Sequence, residues 1–153
     1  ADSRSVVRLT ALQALPQLAK TGHEPTIQKV IQHLTDSDAD VKDAAWQALL
    51  QVSEKGHGSS IDAVIKCLTN SASGVRASAW LALPRLVEKG HEASIEAVNK
   101  GLAAKSSEER KLACQALPQL VEKGHEASVK AVIKLLDDKS PSVRRSACEA
   151  LPA

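Results

Sequence analysis

The run Leu86-Val87-Glu88-Lys89-Gly90-His91-Glu92 returns unchanged as Leu120-Val121-Glu122-Lys123-Gly124-His125-Glu126, displaced by 34 residues. The Gly-His pair at its heart also stands at Gly22-His23 and Gly56-His57, so four copies share one period. A fixed period of this length is the mark of a repeat architecture. In the same register Ala11, Ala45, Ala79, Ala113 and Ala147 align, as do Leu15, Leu49, Leu83, Leu117 and Leu151.

Outward from each Gly-His pair, apolar residues recur at helical spacing. The first segment reads Ile27, Val30, Ile31, Leu34, then Ile61, Val64, Ile65, Leu68, and later Val129, Val132, Ile133, Leu136. These are the i, i+3, i+4, i+7 positions of one helical face. The second segment, exemplified by Val41, Ala45, Ala48, Leu49 and Val52, forms another such face, with alanine where backbones must approach closely. Each unit is therefore predicted to be a helical hairpin. The recurrent glycine falls just past the second helix, where a left-handed residue ends a helix well. Ser106 with Glu109, and Ser140 followed by Pro141, carry helix-start signals. Pro16, Pro84, Pro118 and Pro152 fall within second helices, where each removes a backbone donor and is expected to bend the helix. Asn99 replaces the isoleucine found at 31, 65 and 133, with Gly101 close behind, so the third first-helix is expected to be the least stable.

A lone hairpin cannot bury its own apolar stripe, so the hairpins must stack. The predicted fold is an all-α, right-handed α-α superhelix of about four and a half 34-residue units, a rod roughly 40–45 Å long at ordinary helix spacing. It forms a single domain over 1–153, with units 5–38, 39–72, 73–106, 107–140 and a partial 141–153. The chain opens on a lone second helix and closes partway through another. Neither end has a polar cap, which suggests a fragment of a longer array or an engineered repeat protein.

The composition fits. Phe, Tyr and Met are absent and two Trp are present, so the core must be aliphatic. A net charge of +2 with 25% charged residues is too balanced to imply a nucleic-acid or membrane partner by itself. No apolar run reaches the ~18 residues of a spanning helix. Cys67, Cys114 and Cys148 are odd in number and widely spaced, arguing against a disulfide framework and for a reducing, cytoplasmic setting.

The segment Ser142-Val143-Arg144-Arg145-Ser146-Ala147-Cys148-Glu149-Ala150-Leu151 resembles the second helix of HEAT repeats, and the likeness extends over nearly the whole chain. It is similar in particular to the short HEAT-like units of phycobilisome lyases, within the wider armadillo-like superhelix group. The resemblance implies a protein-binding scaffold, and pairing between an Asp after the first helix and the basic residue of the second. Asp138 with Arg144, and Asp36 with Lys42, are the expected pairs. Asn70 and Ala104 break this pattern where they replace the Asp, as does Glu109 where it replaces the apolar residue before Arg110. Tetratricopeptide repeats share the period but need aromatic residues that this chain lacks.

Chemistry is hard to place on this pattern. His23-Glu24, His91-Glu92 and His125-Glu126 resemble the iron ligands of a HEAT-repeat hydroxylase, but they lie between helices, about 10 Å apart from unit to unit, too far to share one metal. Cys114 and Cys148 follow Leu12, Trp46 and Trp80 at one packing register, and the acids Asp36, Asp38, Asp40, Asp137 and Asp138 sit in turns. His33 has no evident partner. No catalytic, cofactor or metal site is expected. The candidate site is instead the second-helix face, expected to be concave and made of Asp43, Trp46, Gln47, Ala77, Trp80, Leu81, Lys111, Gln115, Arg145 and Glu149. Trp46 and Trp80, one repeat apart, serve either as core-edge residues or, with Leu81, as an apolar binding patch. A protein-interaction scaffold is the first reading. Nucleic-acid binding through Arg76, Arg110, Lys111, Arg144 and Arg145 is second, a lyase-type or metal-dependent HEAT-repeat enzyme last, and end-to-end self-association is open.

Overall fold

A computed structural model describes residues 3–151. It is an all-α solenoid: α1 (Ser3–Leu18), α2 (Glu24–Ile31), α3 (Ala39–Val52), α4 (Gly58–Cys67), α5 (Ser73–Leu86), α6 (Glu92–Leu102), α7 (Ser107–Leu120), α8 (Glu126–Lys134), a 3-10 turn (Leu135–Asp137) and α9 (Pro141–Ala150). The pairs α2/α3, α4/α5, α6/α7 and α8/α9 form two layers, one of first helices and one of second helices. Their apolar stripes meet between the layers. Ile27, Val30, Leu34, Val41, Leu49, Ile61, Val64 and Leu83 are each buried to 99% or more, and such residues contribute roughly 1.5–3 kcal/mol apiece.

The glycine turns do more than end a helix. Gly22, Gly56, Gly90 and Gly124 all have φ between 78° and 88°, which favours glycine over any side chain. The Gly22 N–H donates to Val52 O at 2.8 Å, Gly56 to Leu86 O at 2.7 Å and Gly90 to Leu120 O at 2.9 Å, so each turn is pinned to the end of the next unit's second helix. The following histidine is the N-cap of the first helix. The Nδ1 atoms of His91 and His125 accept from the backbone N–H of Ser94 and Ser128, both at 3.3 Å. All four Nδ1 atoms also meet the hydroxyl three residues on, at Thr26, Ser60, Ser94 and Ser128. The motif is thus His-x-x-Ser/Thr, and at His91 and His125 the imidazole substitutes for the usual Asp or Ser cap.

The acid–base ladder differs from the pairing that the sequence resemblance implies. Asp138 is held by Arg110, from the preceding helical hairpin, through Nε and Nη2 at 2.7 and 2.9 Å, while Arg144 reaches only the carbonyls of Asp138 and Lys139. Asp36 is likewise held by Arg8, at 3.0 and 3.1 Å, and not by Lys42. The reason is reach: a second-helix arginine at this register extends Nε toward the turn of the next hairpin, and in Arg110 Nη1 is spent on its own preceding turn. Arg76 shows the same geometry, with Nη1 on the carbonyls of Asn70 and Ser71. Its natural acid is replaced by Ala104, and Glu109 supplies the carboxylate instead, at 2.7 Å. His33 also has a partner, Asp36, at 3.2 Å. One rung is missing: Lys42 makes no ion pair, and the Asn70 side chain bonds only within its own turn, to the Ala72 N–H. The α3–α5 junction beside it is the loosest in the second-helix layer.

Helix α6, which Asn99 and Gly101 mark as the expected least stable first helix, is fully formed over Glu92–Leu102. It spans 11 residues, more than α2, α4 or α8. A Cβ on Gly101 would lie 2.5 Å from Trp80 Cη2 and Cζ2, so this glycine is the socket for a neighbouring indole. Asn99 accepts from Ser128 Oγ at 3.2 Å. The prolines at 16, 84 and 118 sit two residues before their helices end, so each removes a backbone donor from the last turn only. Pro152 lies outside the described residues.

Candidate interaction face

The residues named from sequence lie on the second-helix face, but they do not form one patch. On α3 and α5 the structure gathers Asp43, Trp46, Gln47 and Leu81 around a hollow of about 290 Å³, completed by Leu50, Ser78, Ala82 and Arg85. On α5 and α7 a second hollow of about 240 Å³ is lined by Trp80, Leu81 and Gln115, with Pro84, Arg85, Leu112, Ala116 and Gln119. Leu81 stands between the two, 66% exposed, while the residues at its register on α3 and α7 are Gln47 and Gln115. Ala77 is half-buried. Lys111 sits farther along α7, 3.3 Å from Glu108. Arg145 and Glu149 are exposed on α9, and Glu149 borders a separate hollow of about 250 Å³ next to Gly124 and Leu151.

Of the two readings of the tryptophans, core-edge packing or an apolar binding patch, their burial favours the first. Trp46 and Trp80 are 5% and 4% exposed, because each indole turns inward between the two helix layers. Trp46 Nε1 donates to Leu34 O at 3.2 Å. Trp80, drawn toward Gly101, leaves its Nε1 without a partner and borders an outer cleft of about 350 Å³ on α4 and α6. Among the described residues lining these two hollows, Leu81 is the exposed large apolar side chain.

Arg85 escaped the sequence reading. It borders both hollows and is the one charged residue at a register otherwise occupied by Gln17, Gln51 and Gln119. That break in an all-glutamine column was its signal. Asp43 and Arg85 share the first hollow without pairing, and neither makes any other ion pair. The surroundings offer no activated nucleophile. Cys114 is fully buried and its thiol is pushed up to about 11 by burial, and burial raises the Cys67 thiol as well. No described helix is long and apolar enough to cross a membrane.

A model of HEAT repeats matches this sequence over residues 1–84, 27–118 and 95–153. The chain belongs to the HEAT repeat family. Proteins of this family generally act as interaction scaffolds. No curated protein matches the chain significantly. Among solved structures, a crystal structure of an engineered protein is similar, with a TM-score of 0.61 and 22% identity over 98% of this chain and 74% of that one. At that identity the likeness supports the HEAT solenoid fold alone.

Proposed function

We propose that this HEAT protein is a non-enzymatic scaffold that binds a protein partner in the concave groove of its second helices, centred on Leu81. The observation that carries this reading is a leucine left 66% exposed between two hollows, amid otherwise polar neighbours on its face. An exposed apolar knob flanked by recesses and a polar rim is the ordinary anatomy of a protein-binding patch. The curvature follows from packing. More extensive contact between second helices at α1–α3, α5–α7 and α7–α9 than between first helices at α2–α4 and α6–α8 supports a concave second-helix layer, although α3–α5 is no closer than α2–α4.

The nucleic-acid alternative loses its cations. Arg76 and Arg110 are committed to Glu109 and Asp138, and Arg144 to backbone carbonyls. Lys111 pairs with Glu108 at 3.3 Å, so Arg145 is the exposed cation of the five outside any ion pair, which weakens a phosphate-tracking stripe. The decisive experiment is a nuclease-treated pull-down with the wild-type chain and with Leu81→Asp, an exposed substitution that leaves the core intact. Loss of a defined protein partner from the variant supports the groove. Undiminished capture by Leu81→Asp refutes it, and retention of salt-sensitive nucleic acid favours the alternative.

A further inference from the structure

Resting on that groove reading, we infer that the partner segment is a mixed-charge amphipathic helix of about 13 residues laid across α3, α5 and α7, with a basic residue over Asp43 and an acidic residue over Arg85.

The length follows from geometry. Three adjacent second helices at about 10 Å spacing span roughly 20 Å, which a helix rising 1.5 Å per residue crosses in about 13 residues. The apolar stripe of such a helix meets Leu81 and drops side chains into the hollows on either side, whose floors are Trp46, Leu50 and Ala82 on one side and Leu112 and Ala116 on the other.

The charges set the order. On the α3 side the face carries Asp43, exposed and in no ion pair, whereas Asp40 has an acidic counterpart on α7 in Glu108, which pairs with Lys111. At the register of Asp43 the next residues are Ala77, Lys111 and Arg145, so the sign changes from acidic through neutral to basic along the groove. Arg85 brings an unpaired guanidinium to the border of both hollows. The other second-helix arginines at the ladder register, Arg8, Arg76 and Arg110, are spent on Asp36, Glu109 and Asp138. Asp43 and Arg85 are therefore charges that the fold does not use internally. A uniformly acidic or uniformly basic segment satisfies one and is repelled by the other. Charge complementarity of this kind selects partners more than it adds raw affinity.

The test uses three synthetic peptides of about 14 residues with one shared leucine stripe: Lys at one end and Glu at the other, all Lys, and all Glu. Binding to the full chain is read by fluorescence anisotropy at low salt. The mixed peptide is expected to bind about tenfold more tightly than either uniform one. Asp43→Lys turns the preference toward the all-Glu peptide, and Arg85→Glu turns it toward the all-Lys peptide. Equal binding of the three, or preferences unmoved by both reversals, overturns the charge order. If Leu81→Asp abolishes partner capture while no peptide binds, the groove stands and the mixed-charge helix falls. If the mixed peptide binds Leu81→Asp as well as wild type, both fall.

Discussion

Gly101→Ala should separate a packing socket from a weak point in helix α6. By helix propensity alone, replacing a glycine in mid-helix with alanine stabilises by about 1 kcal/mol. Here the new methyl would sit 2.5 Å from two carbons of the Trp80 ring and 3.0 Å from Ala113 Cβ. The indole is 4% exposed and cannot swing into solvent, so the contact must be relieved by shifting α5 against α6. Overpacking of this kind costs about 1–3 kcal/mol. The net expectation is a loss of about 1 kcal/mol, or a fall in Tm of about 2–4 °C for a chain of this size. In a Trp80→Leu background, with leucine as at Leu12, the clash is gone and Gly101→Ala should stabilise by about 1 kcal/mol. Urea unfolding followed by far-UV circular dichroism over the four chains measures the coupling, expected at about 1–3 kcal/mol. Additive effects, with Gly101→Ala stabilising both backgrounds equally, would refute the socket.

The ladder gives further expectations. Arg110→Ala should cost about 2–4 kcal/mol in urea unfolding, since it strands Asp138, whose side chain is 8% exposed, whereas Arg8→Ala should cost less because that arginine is 31% exposed. Lys42→Arg combined with Asn70→Asp should rebuild the missing rung and stabilise by about 1 kcal/mol, more than the two single substitutions summed. The Asp138 carboxyl is held below its usual range by the Arg110 guanidinium, against the opposing effect of burial, and the Asp36 carboxyl by the Asp38 N–H and then Arg8. Lowered folded-state values mean that this stability is fully present above the ordinary carboxylate pKa of about 4 and drains away as pH falls below it. Acid titrations of wild type and Asp138→Asn should therefore converge below about pH 4. Iodoacetamide at pH 8 should modify exposed Cys148 first, with Cys67 and Cys114 reacting only on unfolding, as peptide mass spectrometry would show. Amide exchange across Glu92–Leu102 should be no faster than across Gly58–Cys67, because Gly101 is packed.

The 34-residue period, the helical hairpins and the glycine turns were legible in the sequence because each depends on spacing within a few turns of chain. Asn70 announced a broken rung, whereas Lys42 was expected to pair with Asp36 and does not, and Arg85 was overlooked although it stands at the register of Gln17, Gln51 and Gln119. What the sequence could not decide were pairings between units. Arg110 reaches forward to Asp138 across 28 residues, Glu109 answers Arg76 across 33, and Gly101 receives Trp80 from the helix before it. Both tryptophans, at the flank of the helix stripe, lie inward, while Leu81, the residue after Trp80, lies outward. That assignment depends on the angle and distance at which neighbouring helices pack, set by the whole interface at once. Repetition specifies the unit, but the register between units fixes which side chains are buried, which charges are spent, and which remain for a partner.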